Sequence, residues 1–390
     1  MICRLRTNQQ ENQLSGNIKV TDVKIVNLRT VKHVGKIEPA WSPGSQMSFD
    51  VGGGSYTEVH TDAGITGIGP GMSPLLLDGV KEYLLGRSAF AVEDHAAALN
   101  YYVQNMHYQG IAGVDMALWD IIGKAANLPL YKLWGGEKEK IIPYASMVVL
   151  STPEERAEQA RSLKEEGWQA MKLRLHNEII SDDIKIVEAV RNAVGNDFTI
   201  MVDANQAQSS GTWQPGVMWN FQRAYDTAIE LQDLDVFWLE EPLARYNFEG
   251  LSELSAKVEM RIAGGENNPG LNEFVQMCEM DTYQMLQPES MVMNGMTNLR
   301  KVGVLAELHN KELVPHHGGG NIGVIAHQHL VASWRHAPFM ELLHDPPIGH
   351  YKNKFSMFTN APEVDSNGYM PLPTEPGIGL EIDPDLIIKD

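Results

Sequence analysis

The chain has 390 residues, 43% hydrophobic and 21% charged, enough for two domains around a large core. Its formal net charge of −19 argues against nucleic acid as a partner, and an anionic substrate would need a local metal ion or cationic cluster to offset that field. Only Cys3 and Cys278 occur, too few for a disulfide framework or thiolate metal site, and no apolar run reaches 18 residues; a cytoplasmic protein with no membrane segment is expected.

Residues 1–17 are polar and aperiodic, and are expected to form a disordered leader. Residues 18–140 read as an α+β unit. Val20 to Thr30 alternates in part, and Ser55 to Thr61 followed by Asp62-Ala63-Gly64 reads as a strand entering a turn. Between them, Gly35 to Ser48 carries Pro39, Trp41, Pro43 and Gly44 and reads as a long loop of the functional kind. From about 75 to 129 the pattern is helical, and Gly113 to Lys124 has the 3–4 spacing of a buried amphipathic helix.

Over residues 141–355 short strands alternate with helices. Strands are expected at 141–148, 169–174, 198–203, 235–240, 260–265, 282–287, 312–316 and 338–343, with helices such as Thr152 to Glu166 and Asp182 to Val194 between them. Eight such steps in about 200 residues indicate a barrel of the (β/α)8 kind. A doubly wound sheet would place a Gly-rich phosphate loop after an early strand. No GxGxxG stands there, and the triple glycines at 52–54 and 318–320 lack a strand–helix setting, which also disfavours a nicotinamide oxidoreductase. Residues 356–390, rich in Pro and Gly, are expected to return to the first domain.

Side chains two apart on a strand share a face. Lys172 and Arg174 therefore project together, as do Asp203 and Asn205. Glu240, Glu266, Glu289, His316 and Glu341 follow at the ends of the fourth to eighth strands, converging on the C-terminal mouth of a barrel. All-oxygen carboxylate ligation suits Mg²⁺ or Mn²⁺ rather than Zn²⁺. His317, adjacent to His316, would point the opposite way on a strand, into structure or solvent. His327 and His329 lie in an apolar helical run and read as packing residues. Trp41, His33 and Tyr144 are loop or strand-end candidates for facing a substrate.

Lys172-Leu173-Arg174, Val202-Asp203-Ala204-Asn205, Trp238-Leu239-Glu240-Glu241-Pro242, Gly264-Gly265-Glu266, Gln287-Pro288-Glu289 and Val314-Pro315-His316, taken in order, resemble the enolase superfamily and within it the mandelate racemase-like subgroup, over about residues 18–385. The resemblance implies an N-terminal α+β capping domain over a (β/α)7β barrel. It implies that Asp203, Glu240 and Glu266 hold one Mg²⁺ per subunit and that Glu241 does not, although sequence cannot choose between adjacent acids. The shared step is removal of the proton α to a carboxylate, with the ion stabilising the enolate as a Lewis acid. Lys172 would add charge beside the substrate carboxylate. His316 would be general base, general acid or both, oriented by Glu289. Glu341, if protonated, could donate to the enolate oxygen.

Two departures matter. Arg174 stands where the subgroup usually has a second lysine, and Glu289 where aspartate is common. A guanidinium keeps its proton, so Arg174 is a poor base and becomes a substrate clamp or a partner of a ligand carboxylate. Racemisation needs bases on both faces of the α-carbon; one histidine suits dehydration. The expected function is a Mg²⁺-dependent acid-sugar dehydratase giving a 2-keto-3-deoxy acid. A racemase, epimerase or cycloisomerase of a carboxylate is the alternative in the same fold, and a binding protein that has lost chemistry is a third reading. The expected partners are a small-molecule carboxylate and further copies of the chain, from dimer to octamer. Specificity is expected in loop 35–48 and at the eighth-strand end, with Gln208 to Met218 lining the pocket.

Overall fold

The computed structural model describes residues 17–106, 110–208 and 218–389, with backbone alone for 104–106. Five strands open the chain: β1 (Val20–Asn27), β2 (Thr30–Ile37), β3 (Met47–Gly52), β4 (Ser55–Thr61) and β5 (Thr66–Pro70). An antiparallel sheet runs β1-β4-β5, while β2 and β3 form a separate hairpin. The helices α1 (Leu77–Leu84), α2 (Val92–Met106), α3 (Ala112–Ala126) and α4 (Leu130–Leu133) follow. α3 is buried from Ala112 to Gly123, as its apolar spacing predicts. It presses on β5 so closely that a Cβ at Gly69 would lie 1.9 Å from the Gly113 carbonyl oxygen.

β6 (Lys140–Ile141) leads into the parallel sheet. Its strands are β7 (Pro143–Ser146), β8 (Ala170–Arg174), β9 (Thr199–Asp203), β10 (Trp238–Glu240), β11 (Arg261–Gly264), β12 (Met285–Leu286), β13 (Glu312–Leu313) and β14 (Met340–Leu343). Between consecutive strands run α5 (Pro153–Glu165), α6 (Ile180–Val194), α7 (Phe221–Asp233), α8 (Phe248–Lys257), α9 (Leu271–Glu279), α10 (Met296–Leu308) and α11 (Ile322–Ser333). Seven strand–helix units and a final strand are the (β/α)7β order. The sheet runs β13-β12-β11-β10-β9-β8-β7-β14, so the last strand pairs with the first. No ladder joins β13 to β14; the seam carries one backbone bond, from Leu313 N–H to the His336 carbonyl at 3.0 Å.

Several strands are shorter than their apolar runs. The ladder stops where the chain bends into the site: Asn205 and Glu241 have φ of 48° and 46°, and Gly265 has 114°. The expected loop 35–48 is also shorter, because β2 reaches Ile37 and β3 starts at Met47. What remains is pinned to the barrel by the Ala40 N–H, 2.9 Å from the Val148 carbonyl.

After β14 come α12 (Tyr351–Phe355) and β15 (Met370–Pro371), which pairs with β6. The final segment lies on the first domain through bridges Leu28–Ile387 and Pro129–Gly377. Buried Asp120 on α3 gathers these layers. It accepts from Ile378 N at 2.8 Å, Ile68 N at 2.9 Å and Lys124 Nζ at 2.7 Å. Among the described residues no helix is long and apolar enough to cross a membrane.

Asp115, also on α3, ties the capping domain to α10 by accepting from the Thr297 hydroxyl at 2.5 Å and its N–H at 3.1 Å. Burial pushes its carboxyl up to about 6 against the pull of the Thr297 bonds. The folded protein therefore binds the extra proton between the ordinary value of 3.8 and about 6, and stability at this position falls as pH rises through that window. Measured as the difference in unfolding free energy between wild type and Asp115→Asn, the wild-type margin should shrink by up to about 3 kcal/mol from pH 4 to pH 7. A pH-independent difference would contradict this.

Candidate active site

The barrel interior is layered by strand alternation. One layer is apolar and includes Tyr144, Met201, Trp238, Met285 and Phe339. Two residues further along each of these runs stand Ser146, Asp203, Glu240, Gln287 and Glu341, and the same step carries Ala170 to Lys172 and Val314 to His316. The polar layer thus rests on an apolar floor. On β11 the register breaks: Ala263 is followed at +2 by Gly265, whose positive φ delivers Glu266 instead.

Carboxylate oxygens of Asp203, Glu240 and Glu266 lie within 4.8 Å of one another, and all three residues are buried. Each is oriented by donors. Glu240 receives both oxygens' bonds from Lys172 Nζ, at 2.8 and 2.9 Å, and further bonds from Trp238 Nε1 at 3.1 Å and Gln287 Nε2 at 2.8 Å. Burial and neighbouring Asp203 still raise its pKa to about 7, against the pull of Lys172. Asp203 accepts the Asn205 N–H at 2.7 Å and a close contact from Arg174 Nη1. Glu266 accepts from Gln208 Nε2 and Asn267 Nδ2, both at 2.8 Å. Three hard, buried oxygen donors fit a divalent cation of the Mg²⁺ type. Glu241, buried at a positive φ, lies outside the trio. Burial, then Glu266, holds its carboxyl well above the usual range.

His316 Nδ1 sits 2.8 Å from Glu289, and its Nε2 faces Glu266 at 3.3 Å and Glu341 at 4.0 Å. Glu289 also accepts the Gly318 and Met291 N–H groups at 2.8 and 2.9 Å. Burial alone would raise this carboxyl; the His316 bond and charge bring it down to about 2. His316 is shifted the other way. Burial opposes its charge, but Glu266, Glu341 and Glu289 prevail and raise it to about 10. His327, read as packing, lies behind this pair, with Nε2 2.7 Å from Ser290 Oγ. His329 stacks on Tyr131 in the core.

Lys172 is fully buried, 2.8 Å from Glu240 and 3.0 Å from Glu341. Burial works against its charge, but Glu240 and Glu341 hold the pKa above the ordinary lysine value. Arg174 is tied by Met147 O at 2.9 Å, Asn205 Oδ1 and Ser146 Oγ at 3.2 Å, and Asp203; its guanidinium stacks on Trp41 at 4.7 Å. This geometry makes it the partner of a ligand carboxylate.

Four expectations need correction. His33 lies on the β2–β3 hairpin with its side chain 85% exposed, bonded to Asp50, and does not line the cavity. Tyr144 shares the parity of Ser146 but sits one layer too deep, buried edge-on to Trp238 with Lys172 Nζ 5.6 Å from its ring. His317 does not point away, because β13 ends at Leu313 and alternation no longer applies; it lines the cavity beside His316, and burial pushes it down to about 4. Glu341 is not held protonated. Burial favours the neutral form, but Lys172, His316 and His317 keep its carboxyl far below the usual range, and it accepts the His317 N–H at 3.1 Å.

The resulting cavity is about 250 Å³, below the roughly 300–1,000 Å³ of drug-sized sites, so it suits a small molecule. Trp41, Arg174, Asn205, Glu266, His316 and Glu341 line it as expected positions; Met47, Ser146, Asn267 and Leu343 join them. Ser146 and Leu343 were legible from strand alternation, and Met47 falls in the loop 35–48 expected to set specificity, whereas Asn267 carried no sequence signal. Gln208 also lines the cavity, but most of the expected lining segment, 209–217, lies outside the described residues.

Two family profiles cover the chain: the enolase C-terminal domain-like family over residues 155–386, and the mandelate racemase/muconate lactonizing enzyme N-terminal domain over 55–135. Arabinonate dehydratase of Saccharolobus solfataricus is 28% identical over 84% of this chain and 87% of its own. The 3,6-anhydro-alpha-L-galactonate cycloisomerase of Streptomyces coelicolor is 27% identical over 87% and 91%. In structure, D-glucarate dehydratase of Agrobacterium tumefaciens, crystallised with magnesium, superposes with a TM-score of 0.82 over 96% of this chain and 100% of that one, at 23% identity.

Proposed function

Because this chain belongs to the mandelate racemase-like branch of the enolase superfamily, we propose that it dehydrates an acid sugar with Mg²⁺, converting a polyhydroxy carboxylate to its 2-keto-3-deoxy acid. Dehydratases among its relatives support the substrate class. Asp203, Glu240 and Glu266 would hold the ion, which when bound would draw charge from the substrate carboxylate and so make the α-proton removable.

His316 then acts as base through Nε2, since Nδ1 is committed to Glu289. It takes the C2 proton, and the C2–H electrons form the C2–C3 double bond as the C3–O bond breaks. The resulting imidazolium returns its proton to the departing hydroxyl, so water leaves and the enol becomes the keto acid. Lys172 stays cationic and holds Glu240 and Glu341 in place.

One observation carries dehydration over racemisation. Both basic positions of β8 are spent: Lys172, fully buried, is locked by carboxylates, and Arg174, which lines the cavity, by Asp203. His316 and its neighbour His317, with ring centroids 5.5 Å apart, leave the base on one side of the cavity. Incubating the protein with Mg²⁺ and a panel of sugar acids in D₂O should yield 2-keto-3-deoxy products. Cycloisomerase relatives keep the alternative in view; α-deuterium exchange or ring rearrangement with no keto acid would replace dehydration by it.

A further inference from the structure

We infer that the outer end of the cavity selects an acid sugar whose far end is uncharged, a monocarboxylate rather than a dicarboxylate, through the wall formed by Trp41, Met47 and Leu343. The inference rests on the reading that the site holds a sugar acid by one carboxylate.

Charge supplies the first support. Asp203, Glu240, Glu266, Glu289 and Glu341 face only two permanent cations, Lys172 and Arg174, and both are already bonded to protein acceptors. A divalent ion leaves this floor short of neutrality by about one charge. One substrate carboxylate makes it more negative, and a second would enter with no counter-charge in a protein of net charge −19.

The wall supplies the second. Leu343 lies two residues beyond Glu341 on β14 and so on the same face, one step nearer the mouth. Met47 begins β3, and the Trp41 ring lies 4.7 Å from the Arg174 guanidinium. The remaining outer groups, Gln208 and Asn267, are neutral amides that suit hydroxyls. Among the described residues lining the cavity Arg174 is the one lysine or arginine; Lys354 does not line it, and its ammonium stands 4.8 Å over the Phe49 ring. Residues 209–217, outside the described set, read Ser-Ser-Gly-Thr-Trp-Gln-Pro-Gly-Val and contain no Lys, Arg or His. A far carboxylate would be desolvated against apolar side chains without a partner, whereas a hydroxymethyl or methyl end would not.

The test is calorimetric binding to the Mg²⁺-loaded His316→Asn protein, which should not turn the ligands over. Five- and six-carbon aldonates should bind at least tenfold more tightly than aldarates of the same configuration. A smaller preference, a preference for aldarates, or no saturable binding of either overturns the inference. Met47→Lys and Leu343→Lys, each supplying the missing cation, should narrow the gap at least tenfold. If neither does so in folded protein, the wall is not the selector. Dehydration is judged separately on wild type: tight aldonate binding with only α-deuterium exchange leaves this inference standing and removes the dehydratase reading.

Discussion

Glu266→Gln is expected to abolish divalent-ion binding at micromolar to low-millimolar Mg²⁺ and to remove essentially all turnover while leaving the fold intact. A neutral amide keeps the bonds from Gln208 or Asn267 in part but loses the anionic oxygen that faces the other two ligand acids. Among the described residues, the side chain of opposite charge paired with Glu266 is His316, at 3.3 Å, and neither Lys172 nor Arg174 forms an ion pair with it. The thermal midpoint should therefore move little. Because Glu266 is the largest charge raising His316, the imidazole pKa should also fall from its elevated value near 10, visible in an NMR titration of the metal-free protein. Glu240→Gln gives the contrast. It removes the same kind of ligand but strips Lys172 of its bidentate partner, leaving Glu341 at 3.0 Å and Asp203 at 3.6 Å to hold that buried charge, and breaking one partner of a buried pair costs up to about 3–5 kcal/mol. That variant should lose both metal and several degrees of melting temperature. Equal melting losses in the two variants would mean the trio is a structural network rather than a metal site.

His316→Asn should lower kcat/KM by about 10²–10⁴ with metal affinity kept within a fewfold. His316 is no member of the oxygen trio, and its side chain is 27% exposed to the cavity, so the substitution leaves no large void. An asparagine amide can still donate to Glu289 but cannot carry a proton between carbon and oxygen. Glu289 holds the ring tautomer with Nδ1–H toward itself; its loss should therefore act on the same step and not add to the loss of His316. A His316→Asn protein with unimpaired kcat/KM would shift the base elsewhere, with His317 the first candidate on geometry.

Much of this site could be read along the chain because it is written in the simplest periodicity proteins have. Strand alternation put Lys172 with Arg174, and parity placed Asp203, Glu240, His316 and Glu341 above an apolar floor. The same rule misplaced Tyr144, because period two tells which face a residue takes and not how deep it lies. It failed for His317, because the ladder had already ended at Leu313. It was silent on Met47 and Asn267, which reach the cavity from outside the barrel strands.

The sequence by itself determined the succession of eight strand–helix steps, the α+β unit before them and the set of polar residues at the strand ends. These follow from apolar runs, their spacing and the residue types that end them, all local properties. Only the tertiary structure decided that Asp203, Glu240 and Glu266 bring carboxylate oxygens within 4.8 Å of one another. It alone decided that Lys172 and Arg174 are neutralised by acids contributed from other strands, and that Glu341 stays charged. Protonation and charge pairing depend on through-space distances between residues as far apart in the chain as Lys172 and Glu341, and no local pattern encodes those distances.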